Sequence, residues 1–376
     1  MGTLFDYLKW RGDLSFQQAP LNEVDCLIFS LLTYVDFRGV VSGSHDPKEA
    51  LTLRTAINSF FAKNPDDKKI TIGFMIPKTT ITLMRIVKET RRFRNVGLKG
   101  HVNDLDPVRQ MQFSATSFML GEDSTLVAYR GTDDTLIGWK ENFNMSFMES
   151  VPAQREAAAY LNTAGAFSGG DLYVTGHSKG GNLAVYAAVY CEDVVRARLA
   201  GVWSNDGPGF CNSMLNNPTY IKIRPLFHTI IPESSVVGIL LEHEESYTVI
   251  KSRKKGPYQH DGMTWEVSGP SFVHLQTVSE GCKRFDKGLN TWIKKMSLEQ
   301  RAQFADALYQ LLSVDKDPVL SDLISIKKLW KAKGRELDPQ VYAVLKQTLI
   351  GLLGHSAKSV IGGFLPRRTA PATKKT

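Results

Sequence analysis

The sequence predicts an α/β fold, with a mostly parallel central sheet flanked by helices and a helical C-terminal appendage. Three observations predict it. Between about 111 and 267, short apolar runs rich in β-formers alternate with helical runs, the pattern of parallel strands joined by helices. In the middle of that region, Tyr173-Val174-Thr175 turns through Gly176-His177-Ser178-Lys179-Gly180-Gly181 straight into an Ala-rich helical run containing Ala184, Ala187 and Ala188. Residues 286–376, by contrast, keep a helical spacing of apolar residues (Phe304, Leu308, Leu311, Leu312, then Val341, Leu345, Leu349, Leu352) with almost no strand signal.

The elements follow in order. Residues 3–38 open on a short aromatic segment and Pro20, and Asn22 then stands where an N-cap belongs. Val24, Leu27, Ile28, Leu31 and Leu32 fall on one face of the helix that follows. Residues 41–100 read as loop from Gly43 to Pro47 and then further helical pattern. Arg91-Arg92-Phe93-Arg94 reads there as a solvated helix end rather than a nucleic-acid patch. Strands are expected at 111–120 and 125–130 around a turn at 121–124, and the second runs into Gly131-Thr132-Asp133-Asp134. Leu136, Trp139 and Phe143 follow at near-helical spacing, then a helix over 153–161 capped near Ser150. After the strand at 172–175 and the helix at 182–191 come strands at 200–204 and 227–231. The first of these ends in Asn205-Asp206-Gly207-Pro208-Gly209 and the second in Pro232-Glu233-Ser234-Ser235. The last strands are expected at 245–251 and 263–267, with His260 in the loop between them.

Composition sets bounds. With 43% hydrophobic and 22% charged residues, the chain can bury a sizeable core, which excludes wholesale disorder. Cys26, Cys191, Cys211 and Cys282 lack CxxC spacing, so neither a zinc signature nor a dense disulfide framework is expected. No basic stretch followed by an apolar core opens the sequence, and no apolar run reaches the roughly 18 residues of a membrane span. A cytoplasmic, reducing location is the expectation. The net charge of +8 is local: residues 320–376 hold 11 Lys and Arg against 3 Asp and Glu, leaving 35 of each sign upstream. The overall charge therefore says nothing about a substrate of the main domain, and no nucleic-acid partner is expected. The basic end suits either peripheral contact with anionic lipid or the solvated face of a helical lid or oligomer contact.

The turn at Gly176, Ser178 and Gly180 fits Gly-x-Ser-x-Gly, the nucleophile elbow. A strand-to-helix reversal this tight leaves no room for side chains two positions either side of the serine, which is pushed out at a helix N-terminus. A serine hydroxyl is a poor nucleophile at neutral pH. It needs a base, a group that orients the base, and donors for the oxyanion. Downstream lie His228, His243, His260, His274 and His355. His228 lies at a strand start and reads as a packing residue, and His243 lacks the second histidine of a zinc helix because position 247 is Tyr. His260, in a polar loop 82 residues past Ser178, is the candidate base. Two carboxylates follow strands beyond the elbow, Asp206 and Glu233. Asp206 is the shorter, sits in a rigid Asp-Gly-Pro-Gly turn, and is the preferred acid, with Glu233 the alternative. The backbone N–H of Lys179 and that of Thr132 are the candidate oxyanion donors. The Lys179 side chain is expected either to favour anionic substrates or simply to reach solvent. The set needs no metal and no organic cofactor.

Tyr129-Arg130-Gly131-Thr132-Asp133 together with Gly-His-Ser-Lys-Gly-Gly-Asn-Leu-Ala resembles the class 3 (fungal-type) lipases. A closer resemblance covers most of residues 1–270. It is carried by Asp6-Tyr7-Leu8-Lys9-Trp10-Arg11-Gly12-Asp13, Trp139-Lys140-Glu141-Asn142-Phe143-Asn144-Met145, Asp206-Gly207-Pro208-Gly209-Phe210 and Leu241-Glu242-His243-Glu244. These blocks are similar to a bacterial branch described as a domain of unknown function. The resemblance implies an α/β-hydrolase fold and favours lipid-like acyl substrates. One departure stands out: class 3 lipases carry their acid in an Asp-Ile-Val-Pro-like segment, where this chain has Ser234-Ser235-Val236-Val237.

The expected organisation is an α/β-hydrolase domain with an N-terminal helical segment over 1–285, a helical extension over 286–365 and a disordered basic tail over 366–376. The expected function is a serine hydrolase acting on a small acyl ester, thioester or related carbonyl through Ser178, His260 and Asp206. The alternative is a hydrolase-fold protein that binds without turnover.

Overall fold

The computed structural model describes residues 2–67, 70, 79–121, 123–133, 135–284, 286–287 and 296–312. Among these, nine strands form one sheet in the order β1-β2-β3-β4-β5-β6-β7-β8-β11. The strands are β1 (Leu51–Thr52), β2 (Gly97–Asp106), β3 (Met111–Met119), β4 (Ser124–Tyr129), β5 (Asp171–His177), β6 (Leu199–Asn205), β7 (Phe227–Pro232), β8 (Tyr247–Ile250) and β11 (His274–Leu275). A separate hairpin pairs β9 (Val267–Ser268) with β10 (Ser271–Phe272). From β4 to β8 every pairing is parallel, and β1 to β4 and β11 add antiparallel flanks. This mixed sheet, with a parallel centre and helices on both faces, is an α/β-hydrolase fold.

Two cores lie on opposite faces of the sheet, as the strand period of two requires. In β4, Leu126 and Ala128 join one core, while Val127 and Tyr129 join the other. The first core is covered by α1 (Leu4–Arg11), α2 (Glu23–Leu32), α3 (Leu53–Lys63) and α4 (Thr79–Val87). The second is covered by α6 (Pro152–Ala166) and α7 (Lys179–Tyr190), and α5 (Leu136–Asn144) precedes them in the chain. Asn22 caps α2 by accepting from Val24 N and Asp25 N, while Asp25 accepts from Asn22 N in return. That reciprocal pair satisfies N–H groups that a helix start leaves without partners.

Three expectations need correction. Residues 41–100 hold β1 and the start of β2 as well as helices: β2 is interrupted by a bulge between Lys99 and Val102, where Gly100 takes φ 63°. Its glycines and charges hide the alternation. The segment 263–267 is mostly not a strand: a 3-10 turn over Gly262–Thr264 precedes the fully buried Trp265 and β9. Arg92 is not solvated either. Its guanidinium is fully buried, bonds both oxygens of Asp25 (2.8 and 2.5 Å), and donates to the carbonyls of Leu14, Ser15, Ala19 and Pro20. The guanidinium lies over Phe16, its central carbon 4.0 Å from the ring centre.

Of the C-terminal appendage, one helix, Leu298–Leu312, is described. Residues 288–295 and 313–365 of that appendage, the tail at 366–376, His355 and the basic stretch 320–376 lie outside the described residues. Among the described residues, no helix is long and apolar enough to cross a membrane.

Candidate active site

Parallel strands end on the same edge of a sheet, and ligands of open α/β sheets bind outside those carboxyl ends. Here that edge carries Thr132 after β4, Ser178 after β5, Asp206 after β6 and Glu233 after β7.

The elbow is drawn tight by backbone contact. A Cβ on Gly176 would stand 2.0 Å from the carbonyl oxygen of Gly180, and one on Gly180 would stand 2.2 Å from that of Tyr129. No side chain fits at either position. Between them Ser178 adopts φ 59° and ψ −132°, a conformation that L-residues rarely hold and that surrounding structure must impose. Ser178 N donates to the carbonyl of Asn205 (2.9 Å), and Asn205 Nδ2 donates to that of Gly176 (3.1 Å), which ties the elbow to β6. Ser178 itself is half-buried at the N-terminus of α7, where first-turn N–H groups have no intrahelical acceptor.

Asp206 is fully buried, with φ 51°, at the end of β6. Its Oδ2 accepts from His260 Nδ1 at 2.6 Å, and its Oδ1 accepts from Ser235 Oγ (2.5 Å) and Gly238 N (3.1 Å). With Nδ1–H engaged by the carboxylate, the neutral imidazole keeps Nε2 as its acceptor nitrogen. Glu233, the alternative acid, is drawn elsewhere: it accepts from Gln259 Nε2 at 3.4 Å. Ser235 stands in the segment where the class 3 lipase resemblance expects the acid, and here it donates to Asp206, the candidate acid at the end of the neighbouring strand.

The loop bearing His260 is braced from several sides. Trp265 Nε1 donates to Gln259 O (2.8 Å), Ser234 N donates to Gln259 Oε1 (2.7 Å), and Gln259 Nε2 donates to Lys254 O (2.9 Å). His177 adds a brace that sequence reasoning missed. Its Nε2 donates to the backbone carbonyl of His260 (2.8 Å) and its Nδ1 accepts from the Tyr34 hydroxyl (3.1 Å). Burial, and then the charge of His260, push the His177 imidazole down to about 3, so it stays neutral. Its position inside Gly-His-Ser was the available signal, but Tyr34 is 143 residues away in sequence.

A Cβ on Gly131 would stand 3.0 Å from Ser178 Cβ and 2.7 Å from His177 O, so the segment carrying Thr132 runs directly against the elbow. Thr132 Oγ1 accepts from Asn142 Nδ2 on α5 (2.7 Å). The Lys179 side chain corrects both expectations for it: it reaches neither solvent nor the site. It is buried beneath α7, where Nζ donates to Glu141 Oε2 (2.9 Å), Gln112 Oε1 (2.8 Å) and Gln112 O (2.6 Å).

The other described histidines downstream of Ser178 are engaged elsewhere. His228 stacks on Trp203 (ring centres 4.5 Å), His243 bonds Glu245 (2.8 Å) and His274 bonds Glu23 (2.9 Å). Glu245 also accepts from Tyr220 and Thr229, and its carboxyl is held down to about 2, against the cost of its burial, by His243 and Tyr220.

The family model for Mbeg1-like proteins matches residues 87–310. The chain belongs to the Mbeg1-like family. That match takes in β2 to β11 and every candidate site residue, and begins after most of the N-terminal helices. Membership makes this a lipase-related domain. Among solved structures, a crystal structure of M37 lipase is similar at a TM-score of 0.35 and 14% identity, over 57% of this chain and 69% of that one. No curated protein matches the chain.

Proposed function

We propose that this Mbeg1-like protein is a serine hydrolase that cleaves an acyl ester, thioester or related carbonyl through an acyl-enzyme. The observation that carries the reading is the 2.6 Å bond between buried Asp206 and His260, on the sheet edge where Ser178 is held at positive φ. In this reading Ser178 Oγ attacks the carbonyl carbon while His260 Nε2 takes its proton, and the tetrahedral oxyanion is met by the N–H groups of Thr132 and Lys179. Asp206 holds the tautomer of His260 and stabilises the imidazolium. The carbon–leaving-group bond then breaks, and His260 returns the proton to the departing oxygen or sulfur. Water repeats the sequence in the second half, releasing the acid and restoring the serine. Lipase relatedness favours lipid-like acyl substrates, and no cofactor takes part in these steps.

The test is a fluorophosphonate probe. The expected result is covalent labelling of the wild-type protein that is lost in Ser178→Ala. An unlabelled wild type, or equal labelling of Ser178→Ala, overturns the proposal.

A further inference from the structure

Lys179 follows the elbow serine, yet its side chain leaves the site for a carboxylate on another helix. Both side chains of the Lys179–Glu141 pair are 0% exposed. The ammonium's three donors meet three acceptors, two on Gln112 and one on Glu141. Glu141 is equally engaged: Oε2 also accepts from Gln112 N (3.1 Å), and Oε1 accepts from Ala153 N in the first turn of α6 (2.9 Å). One ion pair thus joins α5, the start of β3, and the N-termini of α6 and α7.

Stability is a poor account of such a pair. Desolvating two charges offsets most of their attraction, and replacing both with apolar groups is often neutral or stabilising. Geometry is the better account. The next residue of α5, Asn142, donates to Thr132 Oγ1, and Gly138 packs so closely that a Cβ there would stand 2.9 Å from Thr132 Cγ2. Helix α5 therefore grips Thr132 directly and Lys179 through Glu141. The Leu298–Leu312 helix holds α5 in turn, through Lys140–Asp306 (2.7 Å), Phe143 edge-on to Phe304, and Arg301 to the carbonyl of Ser146 (2.9 Å).

The geometry points to Glu141 and Lys179 as a positioning pair that sets, across α5, the spacing of the Thr132 and Lys179 backbone N–H groups. This rests on the hydrolase reading above, in which those two groups receive the oxyanion. Neither side chain touches the substrate. The pair acts by seating the first residue of α7, and donors aimed at an oxyanion are effective only within a few tenths of an ångström of hydrogen-bond distance.

The test compares Lys179→Met, Glu141→Leu and the double variant, which leaves no unpaired buried charge. Melting temperature, kcat and KM on a short-chain nitrophenyl ester, and the affinity of a trifluoromethyl ketone transition-state analogue are measured on each. The double variant, in which the N–H groups of Gln112 and Ala153 lose their acceptor, is expected to melt below the wild type yet stay folded at the assay temperature, with KM nearly unchanged. Its kcat and analogue affinity should fall together by roughly 10- to 100-fold. A double variant with wild-type kcat and analogue affinity overturns the inference, as does a loss of kcat that only follows the fraction unfolded at the assay temperature. Should the double variant fail to fold, Glu141→Gln, which keeps the side chain's shape, is read by the same criteria. Failure of the parent reading is separate, because the wild type would then not react with fluorophosphonate at all.

Discussion

His177 Nε2 holds the backbone carbonyl of His260 at 2.8 Å, and the two rings lie 4.6 Å apart between centres. The residue before the proposed nucleophile thus anchors the proposed base. His177→Phe removes the donor, while His177→Gln retains an N–H of similar reach. The expected outcome is a fall in kcat of roughly tenfold for Phe, with a smaller loss for Gln and KM little changed. Steady-state ester hydrolysis checks it; wild-type kcat in the Phe variant would assign His177 to packing alone.

The same histidine makes stability depend on pH. Below its ordinary value of 6.5 the unfolded chain takes a proton that the folded state refuses until about 3. Its contribution is therefore complete above 6.5 and is lost as pH falls towards 3, at up to ~1.4 kcal/mol per pH unit. His45, pushed down to about 4 by burial and then by Lys99, adds a loss of the same sign over a shorter window. Urea unfolding between pH 7 and about 3.5 should show a falling free energy. His177→Gln should flatten its slope by about one proton.

Asp206 and Glu233 are distinguished by what they touch. Asp206→Asn leaves the shape intact but supplies an amide where His260 Nδ1–H needs an acceptor, and kcat should fall by about 10³- to 10⁴-fold. Glu233→Gln, at the Gln259 side of the loop, should stay within a few-fold of wild type. Hydrolysis rates for both variants decide it, and the reverse order would move the acid to β7.

Away from the site, the Asp25–Arg92 pair joins α2 to the segment after α4, and Tyr7 also donates to Asp25 (2.7 Å). Asp25→Ala strands a fully buried guanidinium and should cost roughly 3–5 kcal/mol of folding free energy. Denaturant midpoints check this, and the kcat of the folded fraction should be unaffected.

Much of the parallel centre was legible because its strands are short apolar runs separated by helical patterns, although α6 starts at Val151 with no side-chain cap rather than from a Ser150 cap. Strand β2 was not, since Lys99 is buried only because its amine reaches the carbonyl of Phe167 (2.7 Å), across the fold. The turn at Gly262–Thr264 was missed for a similar reason: Trp265 reads as a strand residue until its indole N–H is seen bonded to Gln259 O.

What the sequence by itself determined is whatever is encoded within a few residues. The elbow at Gly176–Gly180 is of this kind, because the glycines follow from local steric clash, as are the Asn22 cap and the alternation in β4. Tertiary structure decided every long-range pairing. Glu233 and Asp206 are each a carboxylate after a parallel strand, and only the path of the 256–265 loop brings His260 to one and Gln259 to the other. Lys179 is the clearest case. Its sequence neighbours make it a cation at a helix start, and only the placement of α5 against the start of β3 turns it into half of a buried pair with Glu141. Whether a polar side chain meets water or a partner depends on residues tens to hundreds of positions away, and no local pattern carries that information.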